Sequence, residues 1–144
     1  MSVLKQLNQI QADAHALYIA FHAYHWNIKG MSFYQIHKAT DKAYNEMGEL
    51  FDEMAERALM LGGKAIIKTA ELDKLAKAPV ELKDKYTDKE ILQNCLKAYE
   101  YLVEAFKKLE SEAEKDGDQT TIALAQEKYA KLEKEIWMLK NALA

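Results

Sequence analysis

The chain is poor in everything that interrupts a helix. Its 144 residues include one proline and five glycines, so long helices meet few breaks. It holds a single cysteine, Cys95, which excludes an internal disulfide framework and suits a reducing compartment. No apolar run reaches the length that crosses a bilayer. The N-terminal "MSVLKQLNQIQADAHAL" lacks the apolar core of a signal peptide. A cytoplasmic protein with no membrane partner is the expectation. Basic residues are not in excess: 20 Lys and Arg stand against 23 Asp and Glu, for a net charge of −3. The molecule as a whole is therefore not a basic nucleic-acid binder. What remains is 49% hydrophobic and 30% charged, ordinary for a globular chain. One domain over residues 1–144, with a sizeable core, is expected.

What is present is helical periodicity. Val3, Leu7, Ile10, Ala14, Leu17, Phe21, Tyr24 and Ile28 alternate spacings of four and three, one apolar seam on a long helix. Gly30 stops it, and Ser32 with Gln35 reads as a capping box opening a second helix. That helix carries Phe33, Ile36, Thr40, Ala43, Met47, Leu50, Met54 and Leu61, and ends at Gly62 and Gly63. A connector of about 24 residues follows, too long for a tight turn, broken at Pro79 and able to hold a short helix. Thr87 and Glu90 form a second capping box. A third long helix follows, with Ile91, Leu92, Leu96, Tyr99, Leu102, Phe106 and Leu109. The "DGD" turn at 116–118 precedes a fourth with Ile122, Ala125, Tyr129, Leu132, Ile136 and Leu139. With no convincing strand, these features predict an all-α, ferritin-like four-helix bundle with a crossing middle connector.

The sequence also lacks any Glu-x-x-His, the inward-pointing pair that builds a di-iron centre inside a bundle. The ligand-type residues lie elsewhere. On a wheel at 100° per residue with His37 at zero, Asp41 falls near 40°, Asp52 near 60° and Glu56 near 100°, while the apolar seam averages about −90°. A solvated polar face is the plain alternative. Against it stand the i,i+4 pairs His37/Asp41 and Asp52/Glu56, whose side chains become neighbours, and His25, one position beyond the first seam. His37 and Asp52 are roughly 22 Å apart along the helix, so one ion at about 2 Å from each ligand cannot bind both. Two antiparallel copies of the second helix across a twofold axis bring position 37 of one opposite positions 52 to 56 of the other. Gly48, near 20° on the wheel, marks the expected close approach. The expected site lies between subunits, twice per dimer.

"HWNIKG", "IHKATD" and "FDEMAERALMLGG" together resemble the Dps family of mini-ferritins (DNA-binding proteins from starved cells), over essentially the whole chain. Some details lean toward the neutrophil-activating branch. The resemblance implies a hollow homododecamer. It implies ferroxidase centres in which His25, His37 and Asp41 of one chain face Asp52 and Glu56 of its partner, and oxidation of Fe(II) by hydrogen peroxide in preference to O2. It also implies storage of ferric mineral and protection against oxidative damage. Carboxylate and imidazole ligands suit iron in both oxidation states, and also accept Zn(II) or Mn(II). Glu56 is the strongest bridging candidate.

Several neighbours carry two readings. His22 is expected to be a hydrogen-bonded structural histidine. Trp26 and Trp137 are either packing residues or electron donors near the site. Cys95 is expected to pack as a small apolar residue. Glu46, Glu49 and Glu53, about 120° to 180° from His37, are a solvated face or mineral-nucleating carboxylates. The acidic Glu114, Asp116 and Asp118 match the place where the family lines its pores. A nucleoid-associated, DNA-coating protein is the alternative function. The first 28 residues contain one Lys, and no basic tail follows Ala144, which argues against it.

Overall fold

The apolar seams define the helices. The computed structural model describes residues 2–144, with the first seam on α1 (Ser2–Asn27) and the second on α2 (Phe33–Met60). The connector holds the short α3 (Thr69–Leu75), and α4 (Asp88–Lys115) and α5 (Gln119–Leu143) complete the chain. Every expected residue of the first seam, from Val3 to Ile28, is at most 1% exposed. On α2 the buried stripe runs from Ile36 to Ala58, while Phe33 and Leu61 sit at the ends, where neighbours run out, and are less covered. α5 departs most from its expected seam. Ala125 and Leu132 are buried, but Ile122, Tyr129, Ile136 and Leu139 are only half-buried.

The connector crosses the bundle along α1, and a row of buried polar groups on α1 ties it down. Gln11 bonds Ile66 through both amide atoms, at 2.9 and 3.0 Å. Gln9 donates to the Leu75 carbonyl at 2.9 Å. Asp13, fully buried, accepts from the backbone N–H of Lys77 and Ala78 and from the Tyr101 hydroxyl at 2.6 to 2.9 Å. The Tyr24 hydroxyl meets Glu81 N–H at 3.4 Å, and Ile28 pairs with Tyr86 in an isolated parallel bridge. The contacts climb α1 from its first half to its end. α4 therefore starts beside the end of α1 and runs antiparallel to it, the ferritin-like connectivity the long connector suggests.

α2 and α5 meet differently. Lys42 pairs with Glu135 at 3.2 Å, Lys128 with Glu53 at 2.8 Å, and Arg57 with Asp118 at 3.2 Å. This seam is ionic, which explains the thin apolar cover on α5. Of the two expected capping boxes, Thr87/Glu90 forms in both directions. Ser32 is the N-cap residue of α2 but makes no cap hydrogen bond; its hydroxyl donates to Asp88 at 3.0 Å, linking the α1–α2 corner to the start of α4. A capping box needs extended backbone at the cap, and Ser32 has ψ near 10°.

Candidate metal centre

His25 lies in the last turn of α1 and His37 in the second turn of α2. Between them Gly30, at φ +112°, turns the chain through a region few side chains tolerate. The corner brings the two imidazoles face to face, centroids 3.6 Å apart and planes 18° from parallel. Each ring uses Nδ1 on the other's backbone: His25 Nδ1 lies 2.7 Å from the His37 carbonyl, and His37 Nδ1 lies 3.0 Å from the His25 carbonyl. A carbonyl only accepts, so both Nδ1 atoms carry hydrogen, and the neutral rings have Nε2 as a bare lone pair. Neither Nε2 has a hydrogen-bond partner among the described residues. The arrangement is that of metal-ligating histidines, whose second nitrogen is held by a carbonyl or carboxylate.

The surroundings fix the pair further. Phe33 stacks on His37 at 4.9 Å, and Tyr44 meets the His25 ring edge-on at 5.2 Å. Thr40 Oγ1 lies 3.1 Å from His25 Nδ1. His25 is 8% exposed, and this burial holds its pKa below the ordinary histidine value. Asp41 is exposed one turn beyond His37. Its carboxylate is hydrogen-bonded by the Tyr44 phenol, which pushes the phenol's pKa up.

Asp52 and Glu56 stand far from this corner, both exposed on α2. They neighbour each other, and the charge of Asp52 pushes the Glu56 carboxyl above its usual range. Among the described residues no three His, Cys, Asp or Glu side chains converge on a point that could hold an ion. The chain thus brings His25 and His37 together, keeps Asp41 beside them, and does not bring Asp52 or Glu56 to the same place.

Other expectations resolve residue by residue. The space at Gly48 is used within the chain: a Cβ there would lie 3.2 Å from the ring of Tyr18, which crosses α2 at that point. Packing of α1 on α2 thus already calls for a small residue at Gly48. His22 Nδ1 donates to the Tyr18 carbonyl at 2.7 Å and the ring stacks on Tyr44 at 3.7 Å, the hydrogen-bonded packing expected of it. Cys95 is buried, which pushes its thiol up to about 12. Glu53 is taken by Lys128, and Glu46 by Lys42 at 3.6 Å, leaving Glu49 as the exposed carboxylate of that face. Asp118 caps α5 through Thr121 N–H at 3.0 Å besides pairing with Arg57, while Glu114 and Asp116 are exposed. Sequence reasoning missed Phe33, Thr40 and Tyr44 as neighbours of the imidazoles. Phe33 and Thr40 fall on the apolar seam in the sequence, and only their i−4 and i+3 spacing from His37 points to them.

No helix among the described residues is long and apolar enough to cross a membrane. The ferritin-like domain family matches residues 4–144. The DNA protection during starvation protein of Helicobacter pylori is 39% identical over 144 residues, covering 100% of both chains. The crystal structure of CAIP from Helicobacter cinaedi superposes with a TM-score of 0.96 at 43% identity, covering 99% of each chain. A Dps protein from Vibrio cholerae, described as a member of a broad superfamily of ferritin-like diiron-carboxylate proteins, superposes at 0.93 with 25% identity over 99% of this chain and 89% of its own. With the fold, the crossing connector and full-length relatives in agreement, the chain belongs to the Dps family of ferritin-like proteins.

Proposed function

We propose that the protein is a ferroxidase and iron store. In this reading it forms a homododecamer and oxidises Fe(II), preferably with hydrogen peroxide rather than O2, at sites between twofold-related chains. The ferric product is held as mineral inside. The observation that carries the reading is the imidazole pair, held through both Nδ1 atoms with both Nε2 lone pairs unused. The description of the Vibrio cholerae relative as a diiron-carboxylate protein supports iron as the metal.

The stacking bears on how many ions bind. With planes 18° apart and centroids at 3.6 Å, an ion in the plane of one ring lies well outside the plane of the other. Imidazole lone pairs bind in the ring plane at about 2 Å, so each ring would serve its own ion. Two neighbouring ions then need bridging oxygen donors. Asp41 lies beside the pair, and Asp52 and Glu56 of the partner chain would supply the remaining oxygen donors, Glu56 being the carboxylate suited to bridge. A twofold contact between α2 helices supplies them, and exposed apolar residues of the α1–α2 face, Ile19, Trp26 and Leu59, give it area to bury. Removing Fe(II) and peroxide together withdraws the two reagents that make hydroxyl radical, which protects DNA without touching it. DNA coating is the lesser reading, because Lys5 is the only lysine in the first 28 residues and the net charge is negative.

The test is anaerobic Fe(II) loading of purified protein followed by peroxide, with iron content and particle mass read together. The expected result is a particle near twelve chains that retains ferric iron. A stable monomer, or oxidation no faster than in buffer, would overturn the reading.

A further inference from the structure

The geometry points to Thr40 as a positioning residue that sets the direction of the His25 Nε2 lone pair; this rests on the reading of the imidazole pair as metal ligands. Thr40 lies on the buried stripe of α2 and is 2% exposed. A buried hydroxyl costs free energy unless it is bonded, and an apolar side chain would fill the stripe without that cost. The hydroxyl has one proton, and it is committed to the helix: Oγ1 lies 2.7 Å from the Ile36 carbonyl and 3.2 Å from that of His37. Its lone pairs remain to accept from His25 Nδ1–H, 3.1 Å away.

The His37 carbonyl, 2.7 Å from the same nitrogen, already fixes the tautomer. One acceptor defines where the N–H points but leaves the ring free to turn about that direction. A second acceptor, itself held by its bond to Ile36, restrains the turn and with it the direction of Nε2. Among the described residues His37 has no such second acceptor; its Nδ1 reaches the His25 carbonyl, at 3.0 Å, and its ring rests on Phe33. Loss of the Thr40 hydroxyl should therefore harm the ion on His25 and spare the ion on His37. A packing role would produce no such asymmetry.

The probe is Co(II), titrated anaerobically into the full-length assembled protein and followed by calorimetry and visible absorption. Thr40→Val keeps the shape and removes the acceptor. It should weaken one of two binding steps by about tenfold and leave the other within about twofold, in the range seen for residues that orient a metal-bound histidine. Thr40→Ser restores the acceptor and should restore the affected step. Should the valine chain fail to assemble, Thr40→Ala removes the same acceptor and is read the same way. Two unchanged steps, or two steps weakened alike together with a lower melting temperature, would overturn the positioning role. Wild-type protein that binds no Co(II), or binds it as well after His25→Ala, would overturn the metal-site reading before Thr40 is touched.

Discussion

At the start of α2, His37 and its neighbour His25 are stacked, bonded through Nδ1 to backbone carbonyls and bracketed by Phe33 and Tyr44. Roughly 22 Å further along the same helix, Asp52 and Glu56 are exposed and repel each other. The imidazoles are ordered by their own chain, so little reorganisation is needed when a ligand arrives. The carboxylates are left in an arrangement that a cation would relieve. The difference teaches that α2 presents ordered imidazoles near one end and unrelieved negative charge toward the other, the two halves that the proposed intersubunit site requires.

The sharpest way to break the comparison is to remove the acidic half. Asp52→Ala and Glu56→Ala should each slow peroxide-dependent Fe(II) oxidation by about 100-fold, at the upper end of losses seen when even an outer residue of a metal site is removed. Glu49→Ala, on an exposed carboxylate of another face, should leave the initial rate within about twofold and affect mineral growth at most. Stopped-flow absorbance under anaerobic mixing reads all three. Similar losses at all three positions would mean that α2 presents a diffuse acidic surface in place of a defined half-site.

A smaller recovery tests whether the two halves meet in trans. A His25→Ala/His37→Ala chain keeps the carboxylates, and an Asp52→Ala/Glu56→Ala chain keeps the imidazoles. Co-assembled in equal amounts with random pairing, half of the twofold interfaces are mixed, and each mixed interface holds one intact site and one doubly defective site. About a quarter of wild-type capacity should return, by the symmetry of an isologous contact. A mixture shown by mass spectrometry to be mixed, yet inactive, rules out the intersubunit site.

The helices and their buried faces are legible because apolar spacing reports burial directly; every position of the first seam is buried. The crossing of the connector was legible from its length, but what fastens it was not. Gln11 and Asp13 look like ordinary polar residues of an amphipathic helix, and their partners Ile66, Lys77 and Ala78 are distant in sequence. The Ser32/Gln35 box failed and the Thr87/Glu90 box formed although both fit one pattern, since a cap depends on the backbone angles at the cap residue. Gly48 shows the same limit: an absent side chain signals close approach, but the wheel cannot say whether a second helix or the Tyr18 ring takes the space. The polar stripe of His37, Asp41, Asp52 and Glu56 on α2 could be read from i,i+4 spacing. The Nδ1–carbonyl bonds could not, because they depend on how the α1–α2 corner turns at Gly30.

Acidity separates the two ends next. The pKa of His25 is depressed by burial, so the unfolded chain binds a proton there more readily than the folded one. Stability then rises with pH through this group, and it is lost as pH falls through the ordinary histidine range toward the lower folded value. Metal-free wild-type protein should lose melting temperature between about pH 7 and 5.5, and His25→Gln should lose less over the same interval. Calorimetric scans of both proteins give the slopes, and equal slopes would show that His25 is not held neutral by its surroundings.

The smallest effect lies at the acidic end and has the opposite sign. Glu56 is raised by the charge of Asp52 and by the hydrogen bond between them, so here the folded chain holds its proton more tightly than the unfolded one. Stability contributed by this group is present at low pH and falls as pH rises through the carboxylate range. Asp52→Asn removes the repelling charge. In metal-free protein it should give a small rise in melting temperature at neutral pH, shrinking toward nothing once both carboxyls are protonated. Added divalent cation should reverse the order, because the wild-type pair gains more from a bound charge than the variant does. Scans at three pH values, with and without Co(II), read both signs. A variant that melts lower than wild type in the metal-free state at neutral pH would show that Asp52 and Glu56 are already compensated within the chain, and the contrast between the two ends of α2 would not hold.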